Sequence, residues 1–126
     1  MAFDINNVGM IVGGSELLSN AAKPVVHAVL WRGTTPQDLG AIDRNGNSIA
    51  YAINNLGDVV GVSEVRKERT VFLYSQGEMH DLDIRGRAFA INDQRQIVGA
   101  LDLEERGRPR GFIWNSGKVR DSHSVN

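Results

Sequence analysis

Ala50-Tyr51-Ala52-Ile53-Asn54-Asn55-Leu56-Gly57-Asp58-Val59-Val60-Gly61 is the stretch that decides how this chain folds. Its first four residues alternate small and large side chains, as a pleated strand with one packed face does. Asn54-Asn55-Leu56-Gly57 is turn chemistry, because Asn and Gly enter positive φ at low cost. Asp58-Val59-Val60-Gly61-Val62 is then a nearly continuous β-branched run, which predicts a strand buried on both faces. Further on, Thr70-Val71-Phe72-Leu73-Tyr74 reads as a third strand, residues 75–78 as a turn, and Met79-His80-Asp81-Leu82 as a short fourth strand.

The same pattern occurs three times. Ala2-Phe3-Asp4-Ile5-Asn6 leads to Gly9 and Ile11-Val12-Gly13, and Ala88-Phe89-Ala90-Ile91-Asn92 leads to Gln96 and Ile97-Val98-Gly99. A second block follows each copy: Ala28-Val29-Leu30-Trp31 before Asp38, Val71-Phe72-Leu73-Tyr74 before Asp81, and Gly111-Phe112-Ile113-Trp114 before Asp121. In each, the aromatic residue stands seven places ahead of the Asp. The chain therefore reads as one all-β repeat domain over residues 1–126, with units at about 2–48, 49–86 and 87–126. Four short antiparallel strands in about 40 residues is the size of a β-propeller blade.

These motifs resemble the HAF repeat, a family named for a His-Ala-Phe tripeptide. His27-Ala28-Val29 stands closest to that tripeptide, whereas Thr70-Val71-Phe72 and Arg110-Gly111-Phe112 depart from it. The resemblance spans almost the whole chain. It implies a multi-copy repeat protein of a kind mostly expected outside the cell, and it brings no activity and no functional residue with it.

Propellers usually have four to eight blades, so three units are expected to close with a second copy. If the Val59-Val60 strand is innermost, Ala88–Ile91 completes the second blade from outside, and the chain opens on an outer strand, Ala2–Ile5, that lacks a blade of its own. That phase predicts a homodimer in which exchanged N-terminal strands close a six-bladed ring. The alternative closure is a β-trefoil monomer.

Composition narrows the chemistry. Hydrophobic residues make up 41% and charged residues 23%, ordinary globular values, and 14 Gly against 3 Pro point to many turns. The net charge of −1 makes nucleic acid an unlikely partner, and the absence of Cys removes thiolate metal sites and Cys nucleophiles. The opening residues carry neither a basic start nor an apolar run, so they do not read as a secretory signal, and no apolar run approaches the ~20 residues of a membrane span. The compartment stays open.

No catalytic residue, metal ligand or cofactor is predicted. His27, His80 and His123 fall at unrelated repeat positions, and residues 43–48 resemble a calcium loop without its required Gly and Glu places. Asp38, Asp81 and Asp121, like Asn6, Asn54 and Asn92, read as turn residues made once per unit. Trp31, Tyr74 and Trp114 read as packing between units. Connections 15–26, 64–69 and 102–110 differ between units, as insertions on one face of a repeat protein do. Two are charge-dense, and Arg66, Lys67, Arg69, Arg106, Arg108 and Arg110 are the binding candidates there. The leading expectation is a non-enzymatic scaffold or binding module for a protein or carbohydrate. An enzyme with its site at the propeller axis and a lectin-like trefoil are the alternatives.

Overall fold

A computed structural model describes residues 1–17, 25–43, 46–102, 110–115 and 118–121. The described chain is all-β. Strands β1 (Ala2–Ile5), β2 (Met10–Leu17), β3 (Val25–Arg32) and β4 (Thr35–Gly40) form one antiparallel sheet. Strands β5 (Ser48–Ile53), β6 (Val59–Val65), β7 (Glu68–Ser75) and β8 (Glu78–Asp81) form the second. Strands β9 (Gly86–Ile91), β10 (Gln96–Leu101), β11 (Arg110–Asn115) and β12 (Lys118–Asp121) form the third.

Each sheet is thus one sequence unit in simple strand order, and this corrects the expected phase. Strand β9 pairs with β10 of its own unit and does not complete the sheet before it. Strand β1 pairs with β2, and β12 supplies a fourth strand to the last unit, so no unit lacks a strand. A trefoil joins its units by pairing strands between them. Here every ladder among the described residues stays within one sheet.

The sheets stack face on face. Val12, Ala28, Leu30 and Leu39 of the first pack against Ala50, Ile53, Val59 and Phe72 of the second. The opposite face of the second sheet, with Ala52, Val60, Val71 and Leu73, packs against Ala88, Ile97 and Phe112 of the third. The unbroken apolar run of β6 follows: Val59 is buried toward one neighbour and Val60 toward the other. First strands approach one another, β1 beside β5 and β5 beside β9, and the Ile53 N–H reaches the Asp4 carboxylate at 2.9 Å. No comparable approach joins the fourth strands among the described residues, so the sheets fan out from their first strands.

A β-bulge at one place in every unit explains two of the repeated residues. Ala50 lies opposite Gly61 and Ala52 opposite Val60, so Tyr51 is the extra residue. Phe3 and Phe89 are the extra residues in the other sheets. The bulge sends Ala50 and Ala52 to opposite faces, although residues two apart in a regular strand share one. It also presses one backbone onto the other. A Cβ on Gly61 would stand 1.9 Å from the Ile49 carbonyl oxygen, which is why glycine recurs there.

The repeated Asn side chains stitch the sheets together. The oxygen of Asn54 accepts the N–H groups of Leu56 and Asp58 at 3.0 and 2.8 Å, closing its turn. Its amide nitrogen donates to Asp58 at 2.9 Å and across to the Asn92 carbonyl at 3.0 Å. Asn6 does the same one unit earlier, reaching the Asn54 carbonyl at 3.1 Å. The next residue adds a second link: Asn7 N–H donates to Asn55 Oδ1, and Asn55 N–H to Asp93 Oδ1, both at 2.7 Å.

Asp58 joins the second and third sheets through Arg95, whose Nε lies 2.8 Å from Oδ2. Burial of this carboxyl, 3% exposed, raises its pKa, but hydrogen bonds from Ser75, Asn54 and Arg95 outweigh it and hold the value below the ordinary one. Arg95 itself sits at φ 59°, where the other units have Gly9 and Gly57 at 83° and 85°. A non-glycine residue there costs about 1 kcal/mol, offset by the ion pair. Asp58→Asn should lower stability at pH 7 by about 2 kcal/mol in urea denaturation, as loss of a charged hydrogen bond does. Because the folded pKa is depressed, this contribution is complete above the unfolded value of about 3.9 and fades as pH falls from there through the folded one. Wild type and variant should therefore converge in acid.

Candidate binding groove

Strands β2, β6 and β10 end, and β3, β7 and β11 start, at the sheet end where β1, β5 and β9 begin. The segment 64–69 is mostly strand, which corrects its reading as a loop. β6 and β7 are joined by a two-residue turn, Arg66-Lys67, with φ 52° and 68°. Positive φ at both central residues matches the twist of a tight hairpin. Arg69 crosses to the third sheet and grips Asp102 with Nε and Nη2, both at 3.0 Å.

Beside this turn lies a groove of about 360 Å³ with Ile49 and Val62 along it and Tyr51, Lys67, Arg69 and Arg87 among its lining residues. Tyr51, the extra residue of the bulge, lines it together with Ile49 two places earlier. Phe3 and Phe89, the extra residues of the other two bulges, stand beside Tyr51: ring centroids are 5.3 Å apart for Phe3–Tyr51 and 6.1 Å for Tyr51–Phe89. Phe3 and Phe89 are 45% and 49% exposed, so a run of aromatic rings crosses the three sheets in contact with solvent. The Arg87 guanidinium stands 5.8 Å from the Phe89 ring centroid, and its buried Nε has no hydrogen-bond partner among the described residues.

Charge in the groove is only partly spent. Glu64 accepts from the backbone and side-chain amides of Asn47, and Arg69 is held by Asp102. Lys67 and Arg87 have no carboxylate partner among the described residues. The arrangement offers apolar and aromatic side chains beside two cations, which suits a ligand with a nonpolar face and an anionic group.

The six predicted residues are not brought together. Lys67 and Arg69 line the groove, whereas Arg66 lines a neighbouring cleft with Arg85. Arg110 opens β11 in the third sheet, and Arg106 and Arg108 lie outside the described residues. Tyr51 and Arg87 were not among the candidates. The signal for Tyr51 was an aromatic between Ala2 and Asp4, between Ala50 and Ala52, and between Ala88 and Ala90. Arg87 gave none, since its counterparts are Met1 and Ile49.

The other recurring polar residues have local tasks. Asp38 takes His27 Nδ1 at 2.9 Å and the Gly40 N–H at 2.8 Å, while Asp81 takes Thr70 Oγ1 at 2.6 Å and the Asp83 N–H at 2.8 Å. Tyr74 and Trp114 pack between sheets. No cluster of three or more His, Asp and Glu suited to a metal occurs among the described residues, and part of the 43–48 turn lies outside them. A cleft of about 570 Å³ at the opposite sheet end contains Asp58 and Arg95, which are spent on each other.

Fold and groove together define an all-β repeat protein of stacked four-stranded sheets. No protein-family model, no curated protein and no solved structure matches the chain.

Proposed function

We propose that this chain is a non-enzymatic binding module, a set of propeller-like blades of HAF-repeat type, and that its groove takes an acidic carbohydrate chain. The observation that carries the reading is the solvent-facing aromatic run Phe3–Tyr51–Phe89 beside Lys67 and Arg87, which have no carboxylate partner among the described residues. Sugar rings lay their C–H faces on aromatic side chains, and a uronate or sulfate group accepts hydrogen bonds from Lys and Arg. The fanning of the sheets from β1, β5 and β9 supports blades with their first strands toward an axis.

The test is calorimetric and NMR titration with a uronate oligosaccharide, with a neutral oligosaccharide of equal length as control. Binding should perturb Tyr51, Lys67 and Arg87, and Tyr51→Ala combined with Arg87→Gln should weaken it at least tenfold, about 1.4 kcal/mol. Equal affinity for the neutral sugar would remove the acidic requirement. Resonances at these three residues that stay still at millimolar ligand would overturn the reading.

A further inference from the structure

The two outward sheet faces carry the same residue positions as the two interfaces formed inside the chain. On the second sheet, Val60 and Leu73 are 0% and 8% exposed against the third. Their counterparts on the outward face of the third sheet, Val98 and Ile113, are 42% and 49% exposed, and Ala90 is open as well. At the other end, Ile53 is 5% exposed against the first sheet, and its counterpart Ile5 is 60% exposed. Ile11 and Trp31 lie half-buried beside Ile5. Val29, at the place of Phe72, is already buried, so the apolar strip at this end is Ile5, Ile11 and Trp31.

The polar clamp runs off both ends in the same way. In each unit the Asn amide nitrogen reaches the residue four places on: Met10 Sδ, Asp58 Oδ2 or Gln96 Oε1. In the first two units it also crosses to the next unit's Asn carbonyl. Asn92 finds no such carbonyl among the described residues, and it is exposed where Asn6 and Asn54 are buried. At the opposite end, the Asn6 carbonyl accepts only the Gly9 N–H among the described residues, whereas those of Asn54 and Asn92 each take a crossing amide as well. Asn7 Oδ1 accepts nothing among the described residues, while the corresponding oxygens of Asn55 and Asp93 each take a backbone N–H from the unit before. Among the described residues, donors are left over on the third sheet and acceptors on the first.

We infer that a second copy of this chain occupies both faces, third sheet onto first sheet, closing a ring of six sheets through two identical junctions. Each junction continues the internal interface. Asn92 donates to the main-chain carbonyl of Asn6 of the partner subunit, Asp93 N–H donates to the side-chain oxygen of the partner's Asn7, and Val98 and Ile113 cover the partner's Ile5 and Ile11. Two different faces that meet head to tail give a closed ring when the rotation per sheet completes a turn, and six lies within the usual range of blades. The copies join by faces and not by exchanged strands, since β1 is already paired within its own sheet. The inference rests on reading the sheets as successive blades, and it does not depend on the ligand of the groove.

The test is absolute mass by light scattering on a size-exclusion column over a range of concentrations. The expected mass is about twice 13.8 kDa. Val98→Lys with Ile113→Lys should halve it while the strand circular dichroism is kept, because both positions are solvent-facing in one copy. Ile5→Lys, at a position 60% exposed, should do the same. Mixing the two blocked variants should restore a species of two chains, since each retains the face the other lacks. A single-chain mass throughout, growth beyond two copies, or a doubled mass that neither variant disturbs would overturn the inference. Each of these outcomes leaves the groove titration to stand or fall separately.

Discussion

Gly61→Ala is expected to leave the chain largely unfolded at 25 °C. The new Cβ would sit 1.9 Å from the Ile49 carbonyl oxygen and 2.9 Å from Ala50 Cα, both backbone atoms held in the ladder. Relief requires β5 to move away from β6, which undoes the bulge and with it the separation of Ala50 and Ala52 onto opposite faces. Both interfaces of the central sheet fail together. The cost exceeds about 5 kcal/mol, the range reserved for changes that break a named structural device, and it is comparable with the whole stability of many domains. Gly77→Ala is the control. A Cβ there meets open space, so only the backbone penalty at φ 81° remains, about 1 kcal/mol. Circular dichroism and urea titration of the two variants check the contrast. A Gly61→Ala protein as stable as Gly77→Ala would contradict it.

Phe72→Ala should cost 3–5 kcal/mol, as removal of a fully buried aromatic ring does. Phe72 is 0% exposed and stands in the cluster with Val12, Leu30, Ala50 and Val59. Those neighbours belong to two different sheets, each fixed by its own ladder, so the hole cannot collapse cheaply. Urea midpoints read the effect directly. A loss under about 1 kcal/mol, the scale of a tolerated surface change, would mean that the first two sheets are not packed as described.

The repeat made the four-strand unit legible, because the turn residues and the β-branched runs carry their own local physics. The phase of the unit was misread for an identifiable reason. The continuous β-branched run Val59-Val60 reads as a strand at the axis, because it implies burial on both faces. That burial comes from the position of the whole sheet between two others: in the third sheet the equivalent Ile97 is buried while Val98 is 42% exposed. The bulge was hidden for a related reason, because Phe3, Tyr51 and Phe89 pass as the large members of an alternating strand. The ladder register shows that they are extra residues, with Ala2 and Asp4, Ala50 and Ala52, and Ala88 and Ala90 facing consecutive partners.

The groove was legible to the extent that charge is legible. Lys67 and Arg69 stood in a charge-dense segment and do line it. The sequence could not tell that Arg69 is already held by Asp102, or that Arg87 approaches from another unit. Both depend on how one sheet sits on the next.

Each unit is a self-contained sheet whose first strand lies beside the first strands of its neighbours. Nuclear Overhauser contacts in the labelled protein test it most directly. Ring contacts are expected from Phe3 to Tyr51 and from Tyr51 to Phe89, together with cross-strand contacts between Ala88 and Gly99. Cross-strand contacts linking β9 to β8 in place of β10, with no contact among the three rings, would contradict it.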